Sequence, residues 1–274
     1  MAPDPNHRHA SDERTTATLV DLYLTEPESP DGEEALAIIH YRGGAEEFLH
    51  GAGLARSESE LERIAGADIL AQLGWGVRTY VEESVPILLE LLGDPVDAVV
   101  SAAAIALSHR GDPRSIEPLI GLSNHPNPAV RYGVVLALGA QEEPTAVSGL
   151  VALTHDVDRD VRNWATFGIA QLTELDTPEI RDALFLRTED EDAEVRGEAL
   201  IGLSMRADPR ALALVRREIS GEFRGSWVVE AAGLLAHPSL QPLLESLYDR
   251  LDPEDQERFA GAFAEAIESC GEGN

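Results

Sequence analysis

Lysine is absent from the 274 residues: all 21 basic side chains are Arg, set against 50 Asp and Glu for a formal net charge of −29. That absence excludes a Schiff-base lysine and the lysine of a phosphate-binding loop. The shortage of positive charge also opposes a nucleic-acid footprint and binding to anionic membrane surfaces. A general Arg-for-Lys bias with an acidic proteome gives the same totals, so the charge excludes more than it assigns. Cysteine is nearly missing. Cys270 stands alone, so no disulfide framework can form within the chain, as suits a reducing compartment. Aromatics reach only 5%. No apolar run approaches the roughly 18 residues of a membrane span. The first residues, MAPDPNHRHASDERTT, hold no apolar signal core. A cytoplasmic protein is expected.

What is present is a core-forming composition, 43% hydrophobic and built from Ala, Leu, Val and Ile. It is arranged in copies. DPVDAVV (94–100), HPNPAVR (125–131), DVDRDVR (156–162) and DEDAEVR (190–196) share a polar turn followed by an apolar run. ERIAGADILAQL (62–73) matches VRNWATFGIAQL (161–172). LSHRGDPR (107–114) matches LSMRADPR (203–210), and IHYRGG (39–44) joins them. The phase anchors fall at residues 32, 63, 100, 131, 162, 196 and 228. The spacing predicts seven units of about 31 residues, near 31–56, 57–93, 94–124, 125–155, 156–189, 190–221 and 222–251. Each unit reads as two helices. Asp, Asn or Pro opens the first, and a Gly or Asp turn followed by Pro opens the second (Pro113, Pro144, Pro178, Pro209). Helices this short need stacked neighbours, which is the logic of a solenoid. Residues 1–14 read as a disordered tail and 15–269 as one all-α solenoid domain. ATLVDLYL (17–24) reads as a short helix over the first unit. A capping helix at 252–269 closes the last core with Phe259, Phe263 and Ile267, leaving Cys270 in a mobile tail.

A polar turn, then Asp, then Val-Arg five and six residues later, in helical pairs of about 31 residues, resembles the HEAT repeats of bacteria. The short E-Z, or phycobilisome-lyase, variety is the nearest in pattern. The resemblance implies an α-solenoid (a superhelix of helical hairpins). It also implies an Asp–Arg ladder between neighbouring repeats, assigned to Asp94, Asp156 and Asp190 with Arg131, Arg162 and Arg196. The pattern departs at Ser57, Val100, His125 and Val228, where the ladder is expected to break.

No chemistry stands out. Asp156, Asp158 and Asp160 resemble the start of a calcium loop, but the sixth and twelfth positions are Val161 and Phe167 instead of Gly and Glu. The eight histidines form no ligand spacing. No His-Glu dipeptide occurs, which removes the di-iron hydroxylases known among HEAT folds. No catalytic residue, metal or cofactor is expected.

Binding is the remaining expectation. Helical phase on the second helices places Glu90, Glu117, Asn124, Ser148, His155, Arg181, Phe185, Arg217, Gln241, Glu245 and Tyr248 on a concave face. The candidate groove residues are Glu117, Ser148, Arg181, Phe185, Arg217, Gln241 and Tyr248. Arg181 and Arg217 offer charge for an acidic or phosphorylated partner. The second unit is six residues longer than its neighbours, and the excess lies in GWGVRTY (74–80). It carries Trp75, Arg78 and Tyr80, types enriched at interface hot spots. The expected function is a non-enzymatic scaffold, a monomer that binds a protein or peptide through its groove or loops. The alternative is a lyase- or chaperone-type protein of the phycobilin-lyase class, acting on a chromophore or small molecule.

Overall fold

The structure is a computed structural model and describes residues 12–221, 223 and 225–272. Among the described residues there is no strand. Sixteen α-helices follow one another among the described residues: α1 (Thr16–Thr25), α2 (Pro30–Arg42), α3 (Ala45–Leu54), α4 (Glu60–Ala71), α5 (Val81–Leu91), α6 (Asp97–Arg110), α7 (Ile116–Gly121), α8 (Pro128–Gly139), α9 (Pro144–Leu153), α10 (Arg159–Phe167), α11 (Pro178–Arg187), α12 (Ala193–Met205), α13 (Ala211–Ser220), α14 (Trp227–Leu235), α15 (Gln241–Arg250) and α16 (Pro253–Glu272). The architecture is an α-solenoid. Among the described residues no helix is long and apolar enough to cross a membrane. Two compact units divide the chain, one up to Ala146 and one from Val147.

Local chemistry sets the helix starts. Ser29, Asn127, Asp158, Thr177 and Asp192 each accept a hydrogen bond from a first-turn N–H. Pro30, Pro128 and Pro178 occupy first-turn positions, where the missing N–H is no loss. Pro113 opens a short 3₁₀ turn into α7, and Pro144 opens α9.

In the first unit, α4 packs on α6 and α6 on α8, while α5 lies against α6 and α7 against α8. Each second helix therefore also seats on the first helix of the following repeat. At the start of the chain, α1 packs on α2 and α3 on α4. Leu19, Ile38, Ile39, Leu70, Leu88, Leu107, Leu119 and Leu138 are fully buried between these helices. In the second unit the stack runs α10, α12, α14, α16, with α11 on α12, α13 on α14 and α15 on α16. Five residues of π-helix, Gly168–Leu172, extend α10.

Two end segments differ from expectation. Residues 1–11 of the expected disordered tail lie outside the described residues, but 12–14 are held. The Arg42 guanidinium donates to the carbonyls of Asp12 and Arg14, each at 2.7 Å. At the other end, α16 runs on to Glu272. Cys270 is buried instead of mobile, its Sγ 3.5 Å from the Ala232 carbonyl, and burial raises its thiol pKa. Phe263 is buried against Tyr248 and Phe223.

Candidate partner-binding site

Arginine does two structural jobs, and both recur. In the first job, the residue six positions past the repeat's opening donates its Nη1 to two carbonyls of its own turn. Arg63 donates to Ser57 and Glu58, Arg131 to His125 and Pro126, Arg162 to Asp156 and Val157, and Arg196 to Asp190 and Glu191. The Nε and Nη2 edge is then free for a carboxylate of the next repeat. Arg63 holds Asp94 at 2.7 and 3.0 Å, and Arg162 holds Asp190 at 2.8 and 3.1 Å. This two-point fork is what a planar guanidinium suits and an ammonium does not. The Arg63 hydrogen bond holds the Asp94 carboxyl below its usual range. Burial pushes Asp190 the other way, but the Arg162 bond and the Asp192 N–H prevail and lower it. At Val100 and His125 both halves of the rung are replaced. There the His125 ring accepts from the Asn127 N–H, and Asp97 receives the Asn127 amide at 2.9 Å.

The second job is capping. A helix leaves its last carbonyls without intrahelical donors, and a cation is favoured there. Arg110, only 2% exposed, ends α6 and reaches the end of α4. It donates to the carbonyls of Leu70 (2.6 Å from Nε), Leu73 and Thr79. Arg206 does the same for Ile169, Ala170, Thr173 and Leu175 in the second unit. Gln141 takes the equivalent place after α8, its amide 3.5 Å from the Asp112 carbonyl. Burial, with Arg78 nearby, pushes the Arg110 pKa down to about 10, so the guanidinium stays charged at neutral pH.

On this platform sits the long loop of the second repeat. Gly74 accepts a left-handed φ of +70°, and a Cβ there would meet the Thr79 side chain at 2.6 Å. Arg78 and Tyr80 are also left-handed, at φ of 53° and 54°. Backbone strain in non-glycine residues persists only where surroundings impose it. The restraints are visible. Gly74 and Trp75 N–H groups both donate to His40 O, Thr79 Oγ1 donates to Gly43 O, and Tyr80 stacks on Phe48 at 4.9 Å. Trp75 leans on Tyr41 at 5.7 Å yet is 53% exposed, and Val77 is 82% exposed.

Beside the loop lies a cleft of about 280 Å³, lined among others by Gln72, Trp75, Arg78 and His109 and by no Asp or Glu. Gln72 Nε2 is 3.4 Å from His109 Nε2. Burial, then the charges of Arg110 and Arg78, lower the His109 pKa, so the ring is neutral at pH 7. A cavity of about 30 Å³ beside Trp227 and Gly197 admits little more than water. Among the described residues no group of three His, Cys, Asp or Glu could hold a metal.

Of the expected groove residues, some are exposed and others are engaged within the chain. In the first unit Glu117 is exposed on α7. In the second, Ser148 is exposed on α9. Arg181 is tied to Asp176 at 2.6 Å, to Asp208 at 3.3 Å and to the Arg206 carbonyl. Arg217 pairs with Glu189 at 2.6 Å and Glu218 at 3.4 Å. Phe185 lies under the Arg210 guanidinium, 4.6 Å from the ring centre. Gln241 bonds Glu245, and Tyr248 packs on Phe263 while its hydroxyl donates to Gln256 O. Trp75, Arg78 and Tyr80 are brought together on one loop. His109 and Gln72, which complete the cleft, were not singled out by sequence. The match of LSHRGD with LSMRAD marks the end of a helix without showing which side chains face the neighbouring loop.

HEAT repeats match residues 51–123 and 102–170. Protein YibA of Escherichia coli (strain K12) is 37% identical over 103 residues, 38% of this chain and 36% of that protein. The matched segment thus spans little more than a third of that relative. The X-ray structure of E. coli YibA superposes with a TM-score of 0.74 at 24% identity, covering 97% of this chain and 95% of that one. A chain from the structure of Kap95p with RanGDP superposes at 0.62 and 17% identity, covering 98% of this chain and 41% of that one. Both likenesses are of fold.

Proposed function

We propose that this chain, whose residues 51–123 and 102–170 match HEAT repeats, is a non-enzymatic scaffold binding a protein or peptide partner through the loop of residues 74–80 in its first unit. Repeat solenoids offer surfaces on rigid stacks, and loops on such scaffolds carry recognition. The observation that carries this reading is the half-exposed Trp75 beside the exposed Val77, held on a restrained loop. An aromatic fixed before binding loses little entropy when it is covered. A small-molecule site of the lyase type has no observation in its favour beyond the cleft of about 280 Å³ beside the loop.

The test is a peptide array probed with the full chain and with Trp75→Ala, Val77→Ser and Trp164→Ala variants. Peptides should be retained by the wild type and by Trp164→Ala, and lost at least fivefold by the two loop variants. Binding that responds equally to Trp164→Ala, or no bound peptide at all, would sink the proposal.

A further inference from the structure

Arg78 resembles a ladder arginine with its second half missing. Its Nη1 donates to a backbone carbonyl, that of Arg110, at 3.2 Å. Arg63 and Arg162 also spend Nη1 on backbone carbonyls, then give Nε and Nη2 to an aspartate. Among the described residues no carboxylate lies within ion-pair distance of Arg78, and its Nε and Nη2 edge has no partner there. Arg56, Arg196 and Arg250 likewise show only carbonyl acceptors; Arg78 differs from them in lining the cleft of about 280 Å³. Arg114, next in the same region, is held by both Asp112 and Glu82. Arg159, Arg181, Arg210 and Arg217 each carry at least two acidic neighbours.

The guanidinium is positioned as well as unpaired. It rests against Gly111, where a Cβ would come within 3.1 Å of its Nη1. Gly111 has φ of +59° and ends α6, so the same turn that frees the carbonyl also makes room for Arg78. Arg110 lies behind it, charged and buried, and adds field of the same sign. Trp75 borders the same cleft.

We infer that the cleft beside the 74–80 loop recognises a carboxylate on an acidic peptide segment, taken in a two-point fork by Arg78 Nε and Nη2, with a neighbouring apolar side chain laid on Trp75. The inference rests on the partner-binding reading above and names the partner's chemistry. A carboxylate fits the single open edge, because the fork has two parallel donors matched to two oxygens. A phosphate group offers three acceptor oxygens and is normally met by several cations. In the cleft Arg78 is the exposed cation, while Arg110 spends its donors on carbonyls. His109 lines the same cleft; burial and then the charges of Arg110 and Arg78 lower its pKa, and no acidic side chain lines the cleft beside it.

The experiment uses the full chain with three blocked peptides, Gly-Glu-Leu-Gly, Gly-Gln-Leu-Gly and Gly-phosphoserine-Leu-Gly. Binding is followed by NMR at the Trp75 indole N–H and the His109 ring. The Glu peptide should shift both signals and raise the His109 pKa, since an anion beside it favours the imidazolium. The Gln peptide should bind at least fivefold more weakly. Arg78→Lys, which keeps charge but not the fork, and Arg78→Gln should both lose at least fivefold for the Glu peptide, with unchanged far-UV circular dichroism. Equal binding of Glu and Gln peptides, still dependent on Trp75, overturns the carboxylate and leaves the partner reading standing. Preference for the phosphoserine peptide likewise replaces carboxylate by phosphate. Absence of binding by all three here, together with an empty array, overturns both readings.

Discussion

His40 and Arg110 show how much a single buried group can contribute, in opposite ways. Burial holds the His40 ring neutral, with its pKa lowered to about 4. Its Nε2 lies 2.8 Å from the Asp68 carbonyl. In the unfolded chain the ring takes a proton near pH 6.5, and in the folded chain it does not until about pH 4. The unfolded state therefore binds more protons in that window, and stability falls as pH drops from about 6.5 to about 4. The loss is at most about 3.5 kcal/mol on the scale of about 1.4 kcal/mol per pKa unit. Asp68, raised by its own burial, opposes this only where carboxylates titrate. The paired aspartates, lowered in the fold, contribute their loss below about pH 4. Urea unfolding at pH 7 and pH 5 should show a drop for the wild type that His40→Gln lacks. Equal drops would refute the assignment. Arg110 is the complementary case, since removing it strands carbonyls away from water. Arg110→Met should cost about 2–4 kcal/mol in the same assay. Arg110→Gln should cost less, because Gln141 fills the equivalent place by a single amide. Neither effect was legible in sequence. The Arg of LSHRGD is visible as a phase marker, but its acceptors lie 31 to 40 positions away.

At the scale of the element, the rung between repeats is a pair that can be moved. Val100 and His125 stand where Arg and Asp stand in the rungs of Arg63 and Arg162. Val100→Arg alone places a guanidinium at a buried position and should destabilise. His125→Asp alone loses the ring that accepts the Asn127 N–H, though its carboxylate can accept the same bond, so its cost should be small. Together they complete a rung, and the double-mutant cycle should return a favourable coupling of about 1 kcal/mol. Zero coupling would mean that rung geometry depends on more than these two side chains. The site that breaks in sequence is therefore a positional statement about which helix pair can be stapled. The periodic helices, their caps and their order were readable because they rest on local spacing. The partners of the candidate groove side chains were not. Arg181, Arg217 and Tyr248 have the right phase, but their partners Asp208, Glu189 and Phe263 come from other elements. Helical phase reports direction from one axis and says nothing of what another helix brings to it. The loop of Trp75 was legible for a different reason, because an insertion into a fixed period announces itself.

For the whole molecule, the deciding quantity is again the imbalance of 50 acids over 21 arginines. Each arginine can neutralise one carboxylate, so at least 29 negative charges lack a compensating cation. Two populations of charge then respond differently to salt. The rungs are shielded, with Arg162 and Asp190 side chains 8% and 4% exposed. Carboxylates of the surplus, such as Glu117 and Glu142, face solvent. Salt screens exposed charges over a Debye length of about 10 Å at 0.1 M and acts less on buried pairs. Raising NaCl should therefore relieve repulsion among the surplus more than it weakens the rungs. The thermal midpoint should climb from about 0.02 M to about 0.5 M NaCl, with most of the gain below about 0.2 M, where the screening length changes fastest. Carboxylate binding at Arg78 should move the other way over the same range, because an exposed fork is attenuated by the salt that steadies the fold. A midpoint that falls with salt would show that the rungs, and not the acidic surplus, dominate the electrostatic balance. Opposite slopes for stability and binding, measured on one sample series, would separate the two populations of charge.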